Sequence, residues 1–179
     1  MPQAIQALIN GATAYATSAD FCRIFSEEMN SLYLLGFLLT ADAKKAEQCF
    51  VAGVGDSVEG NPVFREWAQS WARRTIVVHA IRMMKPAQET ITIAETGPVR
   101  LNVEPRLRAI LKLGVLERFV FVMSVLEGYS YQDCSILLAC SRQTVVNARA
   151  SALEHLASTA EIGAIYREAP QSTYSLVSN

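Results

Sequence analysis

Apolar residues recur every three or four positions along most of this chain, which is the spacing of one buried face of an α-helix. This period predicts helices over 4–16, 21–39, 62–84 and 106–127, together with a short helix that holds Ala46 and Cys49. Glycines at 53, 55 and 60 predict a loop after that short helix, and Gly114 is a candidate break in the last long segment. Trp67 and Trp71 lie one turn apart and are interpreted as buried core anchors, because aromatic side chains dominate the energetics of burial.

The helical period lapses between residues 86 and 105, where prolines at 86, 98 and 105 punctuate two short alternating runs. This segment is interpreted as a linker, and a short hairpin within it is an open alternative. Helices on both sides of the linker predict an all-α chain of two small domains. The expected division is a helical domain over 1–85, the linker over 86–105, a second helical domain over 106–158 and a C-terminal tail over 159–179.

The second predicted domain contains the pattern of a helix-turn-helix. Ser130 with Asp133 three residues later is the acidic form of a capping box and predicts the start of a helix. That helix closes at Leu138, a three-residue turn follows, and Ser141 is placed to cap a final helix that continues through Leu156. A helix, a turn of this length and a second helix are typical of DNA-binding regulators.

Two stretches of the sequence match one family in order. The residues LEGYSYQD at 126–133, the leucine pair at 137–138 and SRQTV at 141–145 resemble region four of extracytoplasmic-function sigma factors. Upstream, scattered residues from Leu32 to Glu47 and the segment FREW at 64–67, followed by Ala72 and Arg73, are similar to sigma region two. The resemblance implies that the first domain docks on the RNA polymerase core and opens promoter DNA, while the last helix reads a duplex element.

Reading a major groove requires cationic side chains for phosphates and polar side chains for base edges. The candidate DNA-binding residues on the last helix are Ser141, Arg142, Gln143, Thr144, Asn147 and Arg149, and those on the region two-like segment are Arg65, Arg73 and Arg74. The family usually carries lysine or arginine where this chain has Val146, Ala148 and Ser151. Fewer phosphate contacts imply weaker DNA binding, since each contact releases counterions.

Composition narrows the classes of function. The 179 residues are 51% hydrophobic and carry a formal net charge of −1, so nucleic-acid contacts must come from local patches. The four cysteines form no CxxC pair and the two histidines are isolated, so the sequence predicts no metal site, no cofactor and no enzymatic activity. It shows no basic leader and no apolar run of membrane-spanning length, which predicts a cytoplasmic, soluble protein without a membrane partner.

Two hypotheses follow. The first is a sigma-factor-like regulator of transcription initiation whose partners are the RNA polymerase core, duplex promoter DNA, and an anti-sigma or other regulatory protein. The alternative is a degenerate relative that keeps the sigma-like fold and acts as a protein-interaction module with little or no DNA binding. The spacing of both matched segments favours the first hypothesis, and the charges missing from the last helix favour the alternative.

Overall fold

A computed structural model describes residues 14–60, 62–87 and 105–168 of the chain. Within these ranges it contains eight α-helices: α1 Ser18–Glu27, α2 Met29–Thr40, α3 Ala43–Glu59, α4 Ala68–Met84, α5 Pro105–Leu111, α6 Val115–Phe121, α7 Tyr131–Leu138 and α8 Arg142–Glu168. The described part has no strand beyond an isolated bridge between Tyr15 and Phe64, which confirms the all-α prediction. None of its helices is long and apolar enough to cross a membrane. The predicted helix over 4–16 and the possible linker hairpin lie largely outside the described residues.

The helix predicted over 21–39 is divided into α1 and α2. Thr17 and Asp20 form a reciprocal capping box at the start of α1, and Glu28 leaves the helical conformation at φ −103° and ψ 15°. The division turns two apolar faces toward the same core, with Phe21 on α1 and Leu32 on α2 both buried. Periodicity alone could not locate this break, because both helices keep the same spacing of apolar residues.

The loop predicted from the glycines at 53, 55 and 60 is wrong over its first part, since α3 continues to Glu59. Gly53 lies where α3 packs closely against α4. A Cβ atom at Gly53 would stand 2.8 Å from Ile76 Cδ1 and 3.1 Å from Thr75 Oγ1. This glycine therefore permits close approach of two helices and does not mark a turn.

The C-terminal helices follow the predicted order with one addition. Gly114 separates α5 from α6, as the sequence allowed. The helix then changes to a π-helical turn over Val122–Leu126 and ends before Gly128, whose φ of 72° suits a residue without a side chain. The capping box of Ser130 and Asp133 at the start of α7 is confirmed.

The N-terminal helices, α1–α4, and the C-terminal helices, α5–α8, share one continuous hydrophobic core. Helix α2 contacts both α5 and α6. Arg118 on α6 is 2% exposed, and its guanidinium donates to the carbonyl oxygens of Leu39 at 3.1 Å, Leu113 at 3.1 Å and Leu111 at 3.4 Å. One buried side chain thus joins the end of α2 to the end of α5.

Both tryptophans were predicted to be core anchors, and Trp67 contradicts this because it is 57% exposed. Trp71 packs against the core and is partly buried.

Mutation tests the placement of Trp67, with Phe119 on α6, which is fully buried, as the comparison. We expect Phe119→Ala to lower the free energy of unfolding by about 3–5 kcal/mol and Trp67→Ala to lower it by about 1 kcal/mol or less, as an exposed residue should. Urea denaturation measures both, and equal losses would contradict the placement of Trp67.

The turn between α7 and α8 offers a second stability test. Ala139 has a left-handed conformation with φ 53°, which is unfavourable for a residue with a Cβ atom. We expect Ala139→Gly to raise the free energy of unfolding by about 0.5–1 kcal/mol. The control is Ala157→Gly on the exposed side of α8, which should lower it by about 1 kcal/mol. Thermal or urea unfolding distinguishes the two signs, and a loss at both positions would count against this turn geometry.

Candidate nucleic-acid interface

The helix-turn-helix is fixed by hydrogen bonds at the start of each of its helices. In the first, the Asp133 amide donates to Ser130 Oγ at 3.1 Å and Asp133 Oδ2 accepts from the Ser130 hydroxyl at 2.6 Å. In the second, the Thr144 amide donates to Ser141 Oγ at 3.0 Å, and the hydroxyls of the two residues lie 2.8 Å apart. Ser141 and Thr144, both candidate DNA contacts, are therefore used to cap α8.

Three of the predicted site residues share the exposed face at the beginning of α8. Arg142, Gln143 and Asn147 are exposed. The Gln143 side-chain amide donates to Asn147 Oδ1 at 2.9 Å, so one turn of the helix presents two linked carboxamides beside a guanidinium. The Asn147 amide nitrogen and the Gln143 oxygen are not used in that bond. The face accordingly offers a positive charge together with donors and acceptors for a ligand.

Arg149 is held within the protein. Its guanidinium donates to the Tyr131 hydroxyl, and its Cζ atom lies 5.5 Å from the centre of the Tyr131 ring. The side chain is partly buried between α7 and α8. In this arrangement Arg149 fixes the two helices relative to each other, and Arg142 supplies the exposed charge at the start of α8.

The three positions at which the resemblance implies cations differ in their surroundings. Ala148 is 8% exposed and belongs to the core, and the Ser151 hydroxyl donates to Glu117 Oε1 at 2.6 Å. Val146 is the one of the three that faces solvent, at 36% exposure. Exposed Ala150 and Leu153 follow it at spacings of four and three residues, so the same face becomes apolar toward its C-terminal part.

All three candidate arginines of the N-terminal helices have neighbours in the protein. Arg65 donates to Asp20 Oδ2 at 3.1 Å, and hydrogen bonds from Thr17, together with Arg65, hold the pKa of Asp20 below its usual value. Arg73 forms two bonds to Glu127. Arg74 is exposed beside the partly buried Tyr129. Burial raises the pKa of Tyr129, and the neighbouring Arg74 opposes that rise.

An aromatic patch, formed by Tyr15, Phe64 and Trp67, lies on the surface beside Arg65. The Tyr15 and Phe64 rings stack with centres 4.7 Å apart, and the Phe64 and Trp67 rings meet edge to face at 5.3 Å. Each of the three is at least 40% exposed. The sequence pattern predicts a buried Trp67, but residues 65–67 form a 3₁₀ turn before α4 begins, and this turns the indole outward.

The described residues contain no cluster of ligands suited to a metal ion. Burial raises the pKa of the Cys49 and Cys134 thiols to about 11, so both remain protonated near neutral pH. Each histidine lies beside one carboxylate: His79 is 2.9 Å from Asp56, and His155 is 3.2 Å from Glu117. The two thiols thus belong to the packed core, and the two histidines contact carboxylates of neighbouring helices.

The family described as Sigma-70, region 4 matches residues 107–156. No curated protein matches the chain. One solved structure is the co-crystal structure of the sigma factor RpoE in complex with the anti-sigma factor NepR from Bartonella quintana. It aligns with a TM-score of 0.47 and 17% identity, over 80% of this chain and 98% of that one.

The region 4 match covers most of α5, all of α6, the π-helical turn and α7, and the first half of α8, and so includes both helices of the helix-turn-helix. It includes the capped turn at 139–141 and the exposed face that begins at Arg142. Residues 107–156 are therefore similar to sigma-70 region 4, the family whose model they match.

Proposed function

We propose that this sigma-factor-like transcription regulator binds the RNA polymerase core and promoter DNA, as extracytoplasmic-function sigma factors do. The observation that carries the proposal is the exposed face formed by Arg142, Gln143 and Asn147 at the start of α8. The N-terminal part of the second helix in a helix-turn-helix is the part that enters the major groove. An anti-sigma or other regulatory protein completes the proposed set of partners.

The chemistry of this face suits duplex DNA. The Arg142 guanidinium is able to bind a phosphate or the acceptor edge of guanine, and carboxamides such as those of Gln143 and Asn147 pair with the edge of adenine. Breaking the Gln143–Asn147 hydrogen bond would release both amides for base contacts. The exposed side chains at the start of α8 thus supply both positioning and reading groups.

Affinity for DNA should be low for the isolated chain. Arg142 is the cation on this face, Val146 stands where the resemblance to sigma factors implies a charge, and Arg149 is bound to Tyr131. Each lost phosphate contact removes a share of the counterion release that drives binding. Simultaneous attachment to polymerase would compensate, because a tethered DNA site is at a high effective concentration.

The aromatic patch extends the proposal to opened DNA. Bases of single-stranded DNA stack on exposed aromatic rings with little dependence on sequence. Trp67 and Phe64 present ring surface next to Arg65. The Arg65 side chain remains 51% exposed while it is paired with Asp20, so stacking and phosphate attraction would act together. This surface is a candidate for holding the separated strand of a promoter.

A second candidate function is a protein-interaction module with little DNA binding. It is favoured by the exposed apolar side chains of Val146, Ala150 and Leu153, which continue the face that starts with Arg142. Apolar residues at this spacing are suited to contact with another helix. Cations added to this face should strengthen DNA binding if the first candidate is correct, and should leave it unchanged if the second is correct.

Binding to a labelled random duplex, followed by fluorescence anisotropy, tests the α8 face. We expect Arg142→Ala to weaken binding and to lower the log–log salt slope by about one unit, since one phosphate contact is lost. The double variant Val146→Lys with Ala150→Arg should strengthen binding, and each added phosphate contact should steepen the slope by about one unit. Ala148→Arg is unsuitable for this purpose, because Ala148 is buried.

The controls change the same charges elsewhere on the surface. Arg23→Ala removes an exposed cation from α1, and Val51→Lys adds one at a residue that is 64% exposed on α3. Both should leave the α8-dependent affinity nearly unchanged. Equal effects at test and control positions would refute the proposal for α8. Failure to co-purify with RNA polymerase core would refute the proposed polymerase contact.

The aromatic patch has a separate test with single-stranded DNA. We expect Trp67→Ala to weaken binding of a labelled oligonucleotide by about 1–3 kcal/mol, the contribution of one stacked base. The control is Tyr33→Ala, which removes a ring that is 37% exposed on α2, outside the patch. Because Trp67 is exposed, the variant should remain folded, and circular dichroism verifies this. Unchanged binding in folded Trp67→Ala would remove this surface from the proposed interface.

A further inference from the structure

Arg73 on α4 and Glu127, which follows the π-helical turn, form a two-bond ion pair between the N-terminal and C-terminal helices. The Nε and Nη2 atoms of Arg73 donate to the two carboxylate oxygens of Glu127 at 2.7 and 2.6 Å. The Glu127 side chain is 9% exposed and that of Arg73 is 28% exposed. This Arg73–Glu127 bridge therefore differs from an ordinary surface pair, which is largely solvated.

Two other residues of the N-terminal half also contact the Arg73 guanidinium. The remaining Nη1 of Arg73 donates to Ser31 Oγ at 3.0 Å and lies 3.6 Å from Glu28 Oε2. The bond with Glu127 raises the pKa of Arg73 above its usual value. All three nitrogens of this guanidinium are thus committed to partners inside the protein.

The backbone on the other side places Glu127 at a break in the helix. The Glu127 amide donates to the Val122 carbonyl five residues earlier, at 3.0 Å, and closes the π-helical turn. Such turns are often found at functional positions in helices. Tyr129, two residues further, lies beside Arg74, so the segment from Glu127 to Tyr129 faces both adjacent arginines of α4.

A carboxylate that binds a guanidinium through two parallel bonds occupies the place of a phosphate, because the two anions use the same geometry. We infer that the Arg73–Glu127 bridge is an intramolecular lock: Glu127 occupies the anion-binding position of Arg73, and the bridge must open before α4 can bind a nucleic-acid phosphate. The claim that the bridge holds the two groups of helices together depends only on the Arg73–Glu127 contact. The claim that it competes with a DNA phosphate also rests on the function proposed above.

Charge reversal tests the conformational part on the full chain. Arg73→Glu and Glu127→Arg each place like charges opposite one another, so each should open the contact between the two groups of helices. Small-angle X-ray scattering should then show a larger radius of gyration for both single variants. The double variant Arg73→Glu with Glu127→Arg restores an ion pair and should return the radius toward that of the original chain. Circular dichroism confirms that all variants remain helical.

Duplex binding tests the link to DNA. Glu127→Gln removes the competing charge with little change in shape, and we expect it to raise affinity roughly tenfold, the contribution of one charge-assisted hydrogen bond. Glu59→Gln is the matched control, because it changes the net charge equally at an exposed glutamate at the end of α3. It should leave the affinity nearly unchanged. Combining Glu127→Gln with Arg73→Ala should abolish the increase, since Arg73 is the group that is released.

The outcomes separate the two proposals. An unchanged radius of gyration in both folded single variants would overturn the lock. A larger radius without a rise in affinity from Glu127→Gln, while Arg142→Ala still weakens binding, would overturn the competition with DNA but leave the proposed function intact. If neither Glu127→Gln nor Arg142→Ala altered DNA affinity, the proposed DNA binding would fall, and the scattering data alone would decide the lock.

Discussion

The arrangement of the described helices depends on one buried guanidinium. Arg118 lies on α6 and donates to carbonyls at the ends of α2 and α5, at Leu39, Leu111 and Leu113. The last carbonyls of a helix have no partner within it, and they carry the negative end of the helix dipole. A buried cation at this meeting point satisfies them and is stabilised by their field in return. Removing it would leave buried acceptors without donors, at a cost of about 1–3 kcal/mol for each group.

Because Arg118 joins α2 to the C-terminal helices, the two halves of the molecule are packed together around a shared core. This packing brings the segment after the π-helical turn over α4. Arg73 and Arg74, which the sequence offers as DNA contacts, consequently face Glu127 and Tyr129. The closed arrangement and the proposed binding of DNA by α4 compete for the same cations, and this conflict is the physical basis of the inferred lock.

The exposed surface of the last helix changes from polar to apolar along its length. Its first turn is polar and exposed at Arg142 and Gln143, while its outer face becomes apolar from Val146 to Leu153. A surface that is polar at one end and apolar further along suits a protein that contacts DNA weakly and depends on a protein partner for affinity. The two candidate functions are thus connected through a single helix face, and their balance is set by how few cations that face carries.

The features that the sequence determined by itself depend on neighbours within about four residues. The capping boxes, the cap by Ser141 and the turn at 139–141 follow from such local hydrogen bonds, and so the helix-turn-helix and three exposed site residues were predictable. Tertiary structure decided the rest, because it depends on residues distant in sequence. Gly53 allows contact with Ile76, Ala148 belongs to the core, Trp67 turns outward, Arg149 binds Tyr131, and Arg73 meets a carboxylate 54 positions away. A side chain's type and spacing do not specify which distant group will face it, and that partner determines whether a cation is available to bind DNA.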